Sequence, residues 1–330
     1  MRNNNRGFTL VELMVALVIG LLISLAAVSS LIVTRRGFTT VDAASQLRDN
    51  ARFASDLIQR VALQAGYKDP TYAIAPPSQK DLDDDANGFI AANITGFNKA
   101  TFKSTSLTTA NNRTTSDGSD ILILRYQTAK LNGDPASSTS DGTMIDCAGN
   151  AISTVPQDRN DRMVSVFHIG VGTDGEPSLM CARSSTGLAP FTSQPIVRGV
   201  ENFQVLYGVD GFTSVNQPFT NPTDSVPERY LRADQIVVGG VMASQATYNN
   251  WRRVRSIRIG MVIRGPANSQ QEKVSQTFYP FGVAANSSTG TIGSALSSAN
   301  DVGTVFTPPV DGRLRQVVTF TIHLRNDQGL

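Results

Sequence analysis

Uncharged and mostly aliphatic residues fill Leu13–Val33, and only Glu12 interrupts the apolar pattern when it is extended back to Phe8. A helix of roughly 20 apolar residues is long enough to cross a bilayer. The short segment before this run is polar and basic, with Arg2 and Arg6. The pattern therefore predicts an N-terminal helix that spans a membrane.

An amphipathic stretch follows the apolar run without a break. Its small and aliphatic residues recur at alternating steps of three and four, the spacing of one helix face; they are Ala44, Leu47, Ala51, Ala54, Ile58, Val61 and Ala65. No proline occurs between Phe8 and Ala65, and Gly66 supplies a stop signal. We predict one helix over Phe8–Ala65, about 87 Å long, whose second half packs on the rest of the chain.

From Tyr67 onwards the pattern changes to short β-branched or aromatic runs separated by Gly, Pro, Asn and Asp. The predicted strands are Asp120–Gln127, Met163–Val171, Leu179–Arg183, Val200–Gly208, Gln235–Val241, Val254–Arg264, Lys273–Pro280 and Leu314–Arg325. Asn98–Ser119 and Ala284–Arg313 are predicted loops. Polar and apolar residues alternate in the last strand, which predicts a sheet with one face in water and one face under the long helix.

The fold class that follows is α+β, with a long N-terminal helix packed on a mostly antiparallel sheet. The chain has 330 residues, and 29 Lys and Arg against 27 Asp and Glu give a formal net charge of +2. This balance argues against nucleic acid as a partner, and two Cys and two His argue against a zinc module. P-loop, H-E-x-x-H and G-x-S-x-G motifs are missing from the sequence, so we predict neither an enzyme nor a bound cofactor.

A secretory signal fits the N-terminus poorly, because its apolar stretch is about 7–15 residues and a cleavage site follows it. A plain membrane anchor is the simpler alternative. Against a plain anchor stands the run G-F-T-L-V-E at 7–12, which puts the carboxylate of Glu12 inside the apolar stretch. A carboxylate in a bilayer costs about 2.5–3.5 kcal/mol or more, so it usually marks a functional residue.

This N-terminus resembles the leader of type IV prepilins. The resemblance implies that a membrane peptidase cleaves between Gly7 and Phe8 and methylates Phe8. It also implies that Glu12 pairs with the α-amine of a neighbouring subunit during assembly; the alternative is a Glu12 side chain at the level of the lipid headgroups. The chain would then comprise a leader (1–7), an assembly helix (8–66) and a β-rich head (67–330).

The charges beside the span do not set its orientation, because Arg2 and Arg6 before it are matched by Arg35 and Arg36 after it. The prepilin resemblance implies a cytoplasmic N-terminus, helix 8–34 in the lipid of the inner membrane and the head in the periplasm, followed by incorporation into the pilus. Loss of Arg2 and Arg6 with the leader would reduce the 29 basic residues to 27, equal in number to the 27 acidic ones.

Three segments of the head resemble PilW-type minor pilins: Val200–Asp210, Trp251–Ile259 and Leu314–Asn326. The resemblance implies a minor pilin that primes pilus assembly near the tip and supports twitching motility, adhesion or DNA uptake. Its implied partners are other minor pilins, the major pilin, the prepilin peptidase, the inner-membrane assembly machinery and a tip adhesin. Two alternatives stay open, a J-type pseudopilin of type II secretion and a tip adhesin or DNA-binding module.

Cys147 and Cys181 are the two cysteines of the chain, and both would lie in the periplasm, where disulfides persist. Closing a loop of about 35 residues is worth roughly 3–4 kcal/mol by the chain-entropy estimate. We therefore expect a disulfide, with a reduced buried pair as the alternative.

An acidic run reproduces the D-x-D-x-N-G opening of a calcium loop with Asp83, Asp85, Asn87 and Gly88. The twelfth position is Ile94, so the bidentate glutamate of such a loop is missing. A solvated acidic turn is the favoured interpretation, and a weak Ca²⁺ site on Asp83, Asp85 and Asn87 is the alternative.

Two further patterns have ordinary structural interpretations. The letters G-x-G-x-x-G at 170–175 precede another apolar run rather than a helix, which predicts a hairpin turn and no phosphate site. The cluster Arg252, Arg253, Arg255 and Arg258 beside Trp251 is interpreted as the charged edge of a strand, with binding to a DNA backbone as the alternative.

Overall fold

A computed structural model of the chain combines one long helix with a β-rich head, which confirms the predicted fold class. The structure describes residues 8–70, 91–105, 107–109, 118–134, 136–158, 160–184, 187–212, 224–242, 244–282 and 305–326. Three α-helices and eleven β-strands lie within these ranges. All pairs of neighbouring strands in the sheets are antiparallel.

Helix α1 covers Leu10–Gln64, a length of 55 residues, so the predicted helix is confirmed apart from its terminal residues. At its C-terminal end Ala65 leaves the helical conformation, with ψ at 133°. Gly66 then takes a positive φ of 82°, a conformation that glycine adopts without strain. Its N–H donates to the carbonyl of Arg125 at 2.9 Å, which ties the end of α1 to the head.

The face of α1 that packs on the head is wider than the predicted stripe. Its buried residues are Ala43, Leu47, Ala51, Ala54, Leu57, Ile58, Val61 and Ala62. Ala44 was expected on the stripe but is half-buried, and Ala43 takes the buried position. The helix contacts strands of two sheets, so it needs a broader apolar face than the seam of a coiled coil.

The head consists of two main sheets and a hairpin. The strands are β1 (Ile94–Phe97), β2 (Thr101–Lys103), β3 (Leu107–Thr109), β4 (Ile121–Tyr126), β5 (Met163–Val171), β6 (Pro177–Arg183), β7 (Thr192–Arg198), β8 (Val200–Val209), β9 (Arg229–Leu231), β10 (Val254–Arg264) and β11 (Arg315–His323). One sheet has the order β1-β4-β5-β6-β7 and the other β11-β10-β8-β9, while β2 pairs with β3. Helices α2 (Ala233–Ile236) and α3 (Gln245–Trp251) lie between β9 and β10 in the chain.

Six of the predicted strands are confirmed, as β4, β5, β6, β8, β10 and β11. The strand predicted over Gln235–Val241 is wrong, because α2 begins the segment and Gly239 and Gly240 follow with φ of 61° and 73°. The strand predicted over Lys273–Pro280 is also wrong, since only Phe278 pairs there, in an isolated bridge to Phe306. These segments are apolar enough for a strand but have no continuous partner strand.

Five short strands were not predicted from the sequence: β1, β2, β3, β7 and β9. Two of them, β2 and β3, form a hairpin inside Asn98–Ser119, which was expected to be a loop. The part of the predicted loop Ala284–Arg313 that precedes residue 305 lies outside the described residues.

The four-stranded sheet is covered on both faces at its centre, so the expected wet face is wrong there. Its inner face shares one apolar core with α1 and the five-stranded sheet. On its outer face Leu206 of β8 packs with Tyr230 and Phe281. Gly260 of β10 lies directly under Pro280, where an added Cβ would be 2.7 Å from the proline Cβ. The segment around Pro280 thus acts as a lid on this sheet.

Candidate functional site

The first turn of α1 forms a capping box around Glu12. The N–H of Glu12 donates to Thr9 Oγ1 at 3.2 Å, and the N–H of Thr9 donates to Glu12 Oε2 at 2.9 Å. These bonds satisfy two backbone donors that a helix start leaves free. The spacing T-x-x-E is typical of such a box, but a capping role for Glu12 was not predicted. Phe8 is exposed beside it, and Gly7 lies outside the described residues.

The N-terminal half of α1 is an exposed apolar rod. Every large apolar side chain from Leu10 to Val33 is between 44% and 74% exposed. The most apolar part of α1 makes no buried contact with the head. Among the described residues, α1 is the one helix whose length and composition suit a membrane span. Apolar surface of this extent on a protein marks a site that lipid or another protein covers.

The hydroxyl groups of Ser24 and Ser29 within this rod, and that of Thr34 just after it, bond the helix itself. Ser24 Oγ donates to the carbonyl of Gly20 at 2.8 Å, and Thr34 Oγ1 donates to the carbonyl of Ser30 at 2.9 Å. A hydroxyl that bonds one turn back needs no water. These three hydroxyl groups are therefore compatible with an apolar environment.

The C-terminal end of α1 is fixed to the head by two amide side chains. Gln64 exchanges two hydrogen bonds with the backbone of Ile145, at 2.9 and 2.8 Å. Asn326 Nδ2 lies 3.2 Å from the carbonyl of Leu63 and 3.0 Å from that of Ala65, and thereby caps the helix. The apolar rod is thus connected to the head through a helix whose end is held in place.

The disulfide Cys147–Cys181 is present, with the two Cα atoms 5.4 Å apart, which confirms the predicted pairing. It joins the segment after Met144 to β6. The N–H of Cys147 also donates to Ser165 Oγ at 3.1 Å, and this hydroxyl lies 2.8 Å from the phenol oxygen of Tyr126. The disulfide therefore lies close to Ile145, the residue whose backbone bonds Gln64.

An ionic network joins the two sheets at the end of the head nearer the apolar rod. Its members are Glu176, Glu201, Arg264, Asp311, Arg313 and Arg315. Arg264 bonds Glu176 at 2.8 Å and Glu201 at 2.9 Å, while Arg315 bonds Glu201 at 2.6 Å. Hydrogen bonds from Arg264 lower the pKa of the Glu176 carboxyl. Three cations and three anions balance, so the network links the β5–β6 hairpin to β10 and β11 without net charge.

A cavity of about 320 Å³ lies next to this network, between it and α1. Its lining includes Gln46 and Asn50 from the helix and Arg198 and Arg264 from the sheets. Because Arg198 bonds Asp174 at 2.6 Å and Arg264 belongs to the network, these cations are already paired.

Asp120 forms a second junction between the sheets, just before β4. Its N–H donates to the carbonyl of Phe203 in β8 at 2.8 Å. Its carboxylate accepts the N–H of Lys99 at 3.0 Å and the N–H of Val205 at 2.8 Å. Burial raises the pKa of this carboxyl to about 7, although the hydrogen bonds from the two backbone N–H groups act to lower it.

The arginine cluster does not surround an exposed tryptophan. Trp251 is fully buried and packs edge-on against Tyr207, with ring centroids 4.8 Å apart, so it is not available to stack on a base. Arg255 Nε lies 3.3 Å from Asp210 Oδ2 in an ion pair. The interpretation as a charged strand edge is wrong as well, because β10 lies between β11 and β8.

Other sequence candidates have clear outcomes in the described ranges. The G-x-G-x-x-G segment is the turn of the β5–β6 hairpin, as predicted, with Gly175 at a φ of 77°. The candidate calcium ligands Asp83, Asp85 and Asn87 lie outside the described residues.

Two polar arrangements were not foreseen from the sequence. His168 Nε2 lies 2.9 Å from Ser193 Oγ, and Phe102 stacks on the imidazole with centroids 4.1 Å apart, so the pair holds hairpin β2–β3 on the sheet. Carboxylate oxygens of Asp210, Asp224 and Glu228 lie within 4.8 Å of one another. The ion pair between Arg255 and Asp210 already offsets part of this negative charge.

Comparison with known families gives two matches. The family described as "Type IV Pilus-assembly protein W" matches residues 166–326, which include β6 to β11 and most of β5. The family described as "Prokaryotic N-terminal methylation motif" matches residues 2–28, which include the capping box and much of the apolar rod. The two matches lie at opposite ends of the architecture, one on the head and one on the helix.

The search of curated proteins finds no match. Among solved structures, the chain is similar to a type IV-like pilin from Thermus thermophilus, with 13% sequence identity and a TM-score of 0.37. The alignment covers 86% of this chain and 98% of the other.

Proposed function

Because the chain belongs to the PilW family of type IV pilus-assembly proteins, we propose that it is a minor pilin that initiates fibre assembly together with other minor pilins. The family is structural rather than enzymatic, and we propose no catalytic activity for this chain. Before assembly the protein would be stored in the inner membrane with its N-terminus in the cytoplasm and its head in the periplasm. Afterwards it would stay near the fibre tip.

One observation carries this proposal: a single unbroken helix is exposed and apolar over one half and packed into the head over the other. The exposed half from Leu10 to Val33 needs lipid around it, and the same surface can later contact the helices of other subunits. The other half is fixed by Gln64 and Asn326, so a pull on the helix is transmitted to the head. This combination suits a subunit that leaves a membrane to join a fibre.

Processing would prepare the N-terminus for that step. Cleavage between Gly7 and Phe8 creates an α-amine with a reference pKa of about 7.7–8.0, which is mostly cationic at neutral pH. In the capping box Glu12 uses Oε2, and Oε1 has no hydrogen bond to another described residue. We propose that this second oxygen pairs with the α-amine of a neighbouring subunit.

The size of the head supports a position at the tip rather than in the shaft. Two sheets of five and four strands pack on one face of the second half of α1, and a shaft repeats its subunits closely along the axis. A broad head is accommodated more easily where no subunit lies above it. We therefore propose that the head ends the fibre, where a tip adhesin would also contact it.

The test is deletion of the gene, with surface pili, twitching and protein secretion scored together. We expect loss of pili and twitching with normal secretion, and restoration by the intact chain. Normal piliation with lost secretion would overturn the proposal in favour of a J-type pseudopilin. Mass spectrometry of the mature N-terminus should find methylated Phe8.

A finer test uses Glu12 and its matched variant. Glu12→Gln keeps an acceptor for the capping box but removes the negative charge, whereas Glu12→Ala removes both. If pairing with an amine matters, both variants lose pili while remaining processed and stable in the membrane. Normal piliation with Glu12→Gln would show that only the capping role of Glu12 is needed.

A further inference from the structure

Among the residues that the structure describes, the two main sheets have four edge strands, and three of them are protected. β9 has 3 residues and β1 has 4, which are too short to recruit a long strand. β7 carries Pro195 and pairs with β6 through a register shift. β11 differs from all three, because it has 9 residues without proline or glycine and pairs with β10 in unbroken register.

The direction of the backbone groups of β11 follows from its two ends. The N–H of Leu324 donates to the carbonyl of Arg255, and the N–H of Gly265 donates to the carbonyl of Leu314. In an antiparallel pair the backbone N–H and C=O groups of every second residue point toward the partner strand. In β11 these are the backbone groups of the even-numbered residues, which face β10. The N–H and C=O groups of Val317, Thr319 and Thr321 therefore point outward. None of these outward groups bonds another described residue.

A groove of about 530 Å³ runs between this free edge and α1. Ala51, Val317 and Val318 contribute apolar surface to it, and Arg48 and Arg52 border it on the helix side. Val318 and Phe320 point into the core side of the sheet but are only half-buried, whereas Ile322 further along is buried. The core is thus incompletely covered along the edge.

The charges at the groove indicate what kind of chain would cover it. Arg48 and Arg52 stand one turn apart on α1, and neither forms an ion pair with a described residue. Asp56 follows one turn later, so the border is positive at one end and negative at the other. An extended segment with a carboxylate near Arg48 and Arg52 would complement this pattern.

We propose that the free edge of β11 is a docking site for a β-strand from the head of a different pilus subunit, with alternating apolar residues and a carboxylate that meets Arg48 and Arg52. The added strand would pair with the outward groups of Val317, Thr319 and Thr321 and cover Val318 and Phe320. This proposal rests on the proposed function, because it places the partner in the same fibre.

The position of the groove along α1 supports a neighbouring subunit as the source of the strand. Ala51 lies about 27 Å beyond Val33 along the helix, at 1.5 Å per residue. A neighbour held in the same membrane by a similar helix brings its own head to the same height. A strand from that head therefore reaches the edge without unfolding.

The test is photo-cross-linking in the native cells, with the full chain carrying a photoreactive phenylalanine analogue in place of Val317. Thr321→Pro removes an outward N–H and leaves the ladder to β10 intact, because that N–H points away from β10. Thr321→Val is the matched control, since it keeps the N–H. Arg48→Glu with Arg52→Glu tests the charge without touching the sheet.

We expect one cross-linked product, identified by mass spectrometry as another subunit with a pilin leader. Its yield should fall about tenfold with Thr321→Pro and with the Arg48→Glu, Arg52→Glu pair, but not with Thr321→Val. Formation of the disulfide Cys147–Cys181 in each variant shows that the head has folded.

Three outcomes would overturn the proposal: no product in piliated cells, a product of two copies of this chain, or a yield that Thr321→Pro leaves unchanged. A yield unaffected by the arginine reversals would overturn the acidic character of the partner strand. If deletion of the gene abolishes pili while Val317 gives no product, the docking site is wrong and the proposed function stands. If deletion leaves piliation normal, the proposed function itself fails.

Discussion

The buried carboxyl of Asp120 should make the stability of the head depend on pH. Its pKa is about 7 in the folded protein, because burial disfavours the charged form, whereas an exposed aspartate has a pKa near 3.8. Between these two values the folded chain holds a proton that the unfolded chain has released. Stability therefore decreases as pH rises from about 4 to about 7, the opposite of what a salt-bridged aspartate would give.

The size of this change in stability follows from the difference between the pKa of Asp120 in the folded chain and in the unfolded chain. Each pH unit within that window changes the free energy of unfolding by about 1.4 kcal/mol. Between pH 5 and pH 7.5 the contribution of Asp120 should fall by about 3 kcal/mol, or roughly 6–12 °C in Tm for a head of this size. Other groups also titrate, since Asp161 has a raised pKa and Glu176 a lowered one, so the wild-type curve alone is not decisive.

The assay compares wild type with Asp120→Asn, each as the full chain in detergent micelles, by urea unfolding at several pH values. Trp251 is the single tryptophan and is buried in the head, so its fluorescence reports unfolding. Asp120→Asn should be less stable than the wild type at pH 5. The NH₂ group of its side chain would replace an acceptor oxygen and would face the N–H of Lys99 or Val205.

The stability gap between the two proteins should then shrink by about 3 kcal/mol between pH 5 and pH 7.5. Asp134→Asn is the control, since Asp134 is exposed and its variant shows how much of the change any Asp→Asn replacement produces. A gap for Asp120→Asn that stays constant with pH would refute the reasoning.

Three further perturbations test the packing and the junctions in the same urea assay. Replacing Cys147 and Cys181 together by Ala should lower the free energy of unfolding by roughly 4 kcal/mol, and an unchanged urea midpoint would contradict a role in stability. Ile58→Ala leaves a cavity between α1 and the sheets and should cost about 2–5 kcal/mol, whereas a loss below about 1 kcal/mol would mean that the helix is not firmly packed there. Glu201→Gln removes the negative charge that pairs with Arg315 in a buried network, and it should lower the free energy of unfolding by about 3–5 kcal/mol. Recovery of this stability in 1 M salt would show that the network is solvated instead.

The predictions that were confirmed rest on patterns among residues that are close together in the sequence. The length of α1 could be predicted because an apolar run and a stripe at helical spacing follow one another without a proline. Long strands such as β5 and β10 were found to the residue, since β-branched runs of that length have no helical interpretation. Gln235–Val241 failed by the same logic, because its composition suits a strand although the positive φ of Gly239 and Gly240 interrupts it.

The short strands were missed because their own sequences are weak. β9 and β1 owe their conformation to the strands beside them, and a run of 3 or 4 residues has too few positions for a period to be recognised. Ala43 and Ala44 show the same limit on the helix, since a spacing of three and four does not reveal how wide the packed face will be.

The sequence by itself determined the features that depend on neighbouring residues: the apolar rod of α1, the leader pattern before it, the hairpin at 170–175 and the existence of a β-rich head. The tertiary structure alone decided the rest, because it brings together groups that are far apart in the chain. Arg264 and Glu176 are 88 residues apart, and Asp120 and Val205 are 85 apart. Burial of Asp120 and the free edge of β11 depend on which strands become neighbours, and that choice depends on packing across the whole chain.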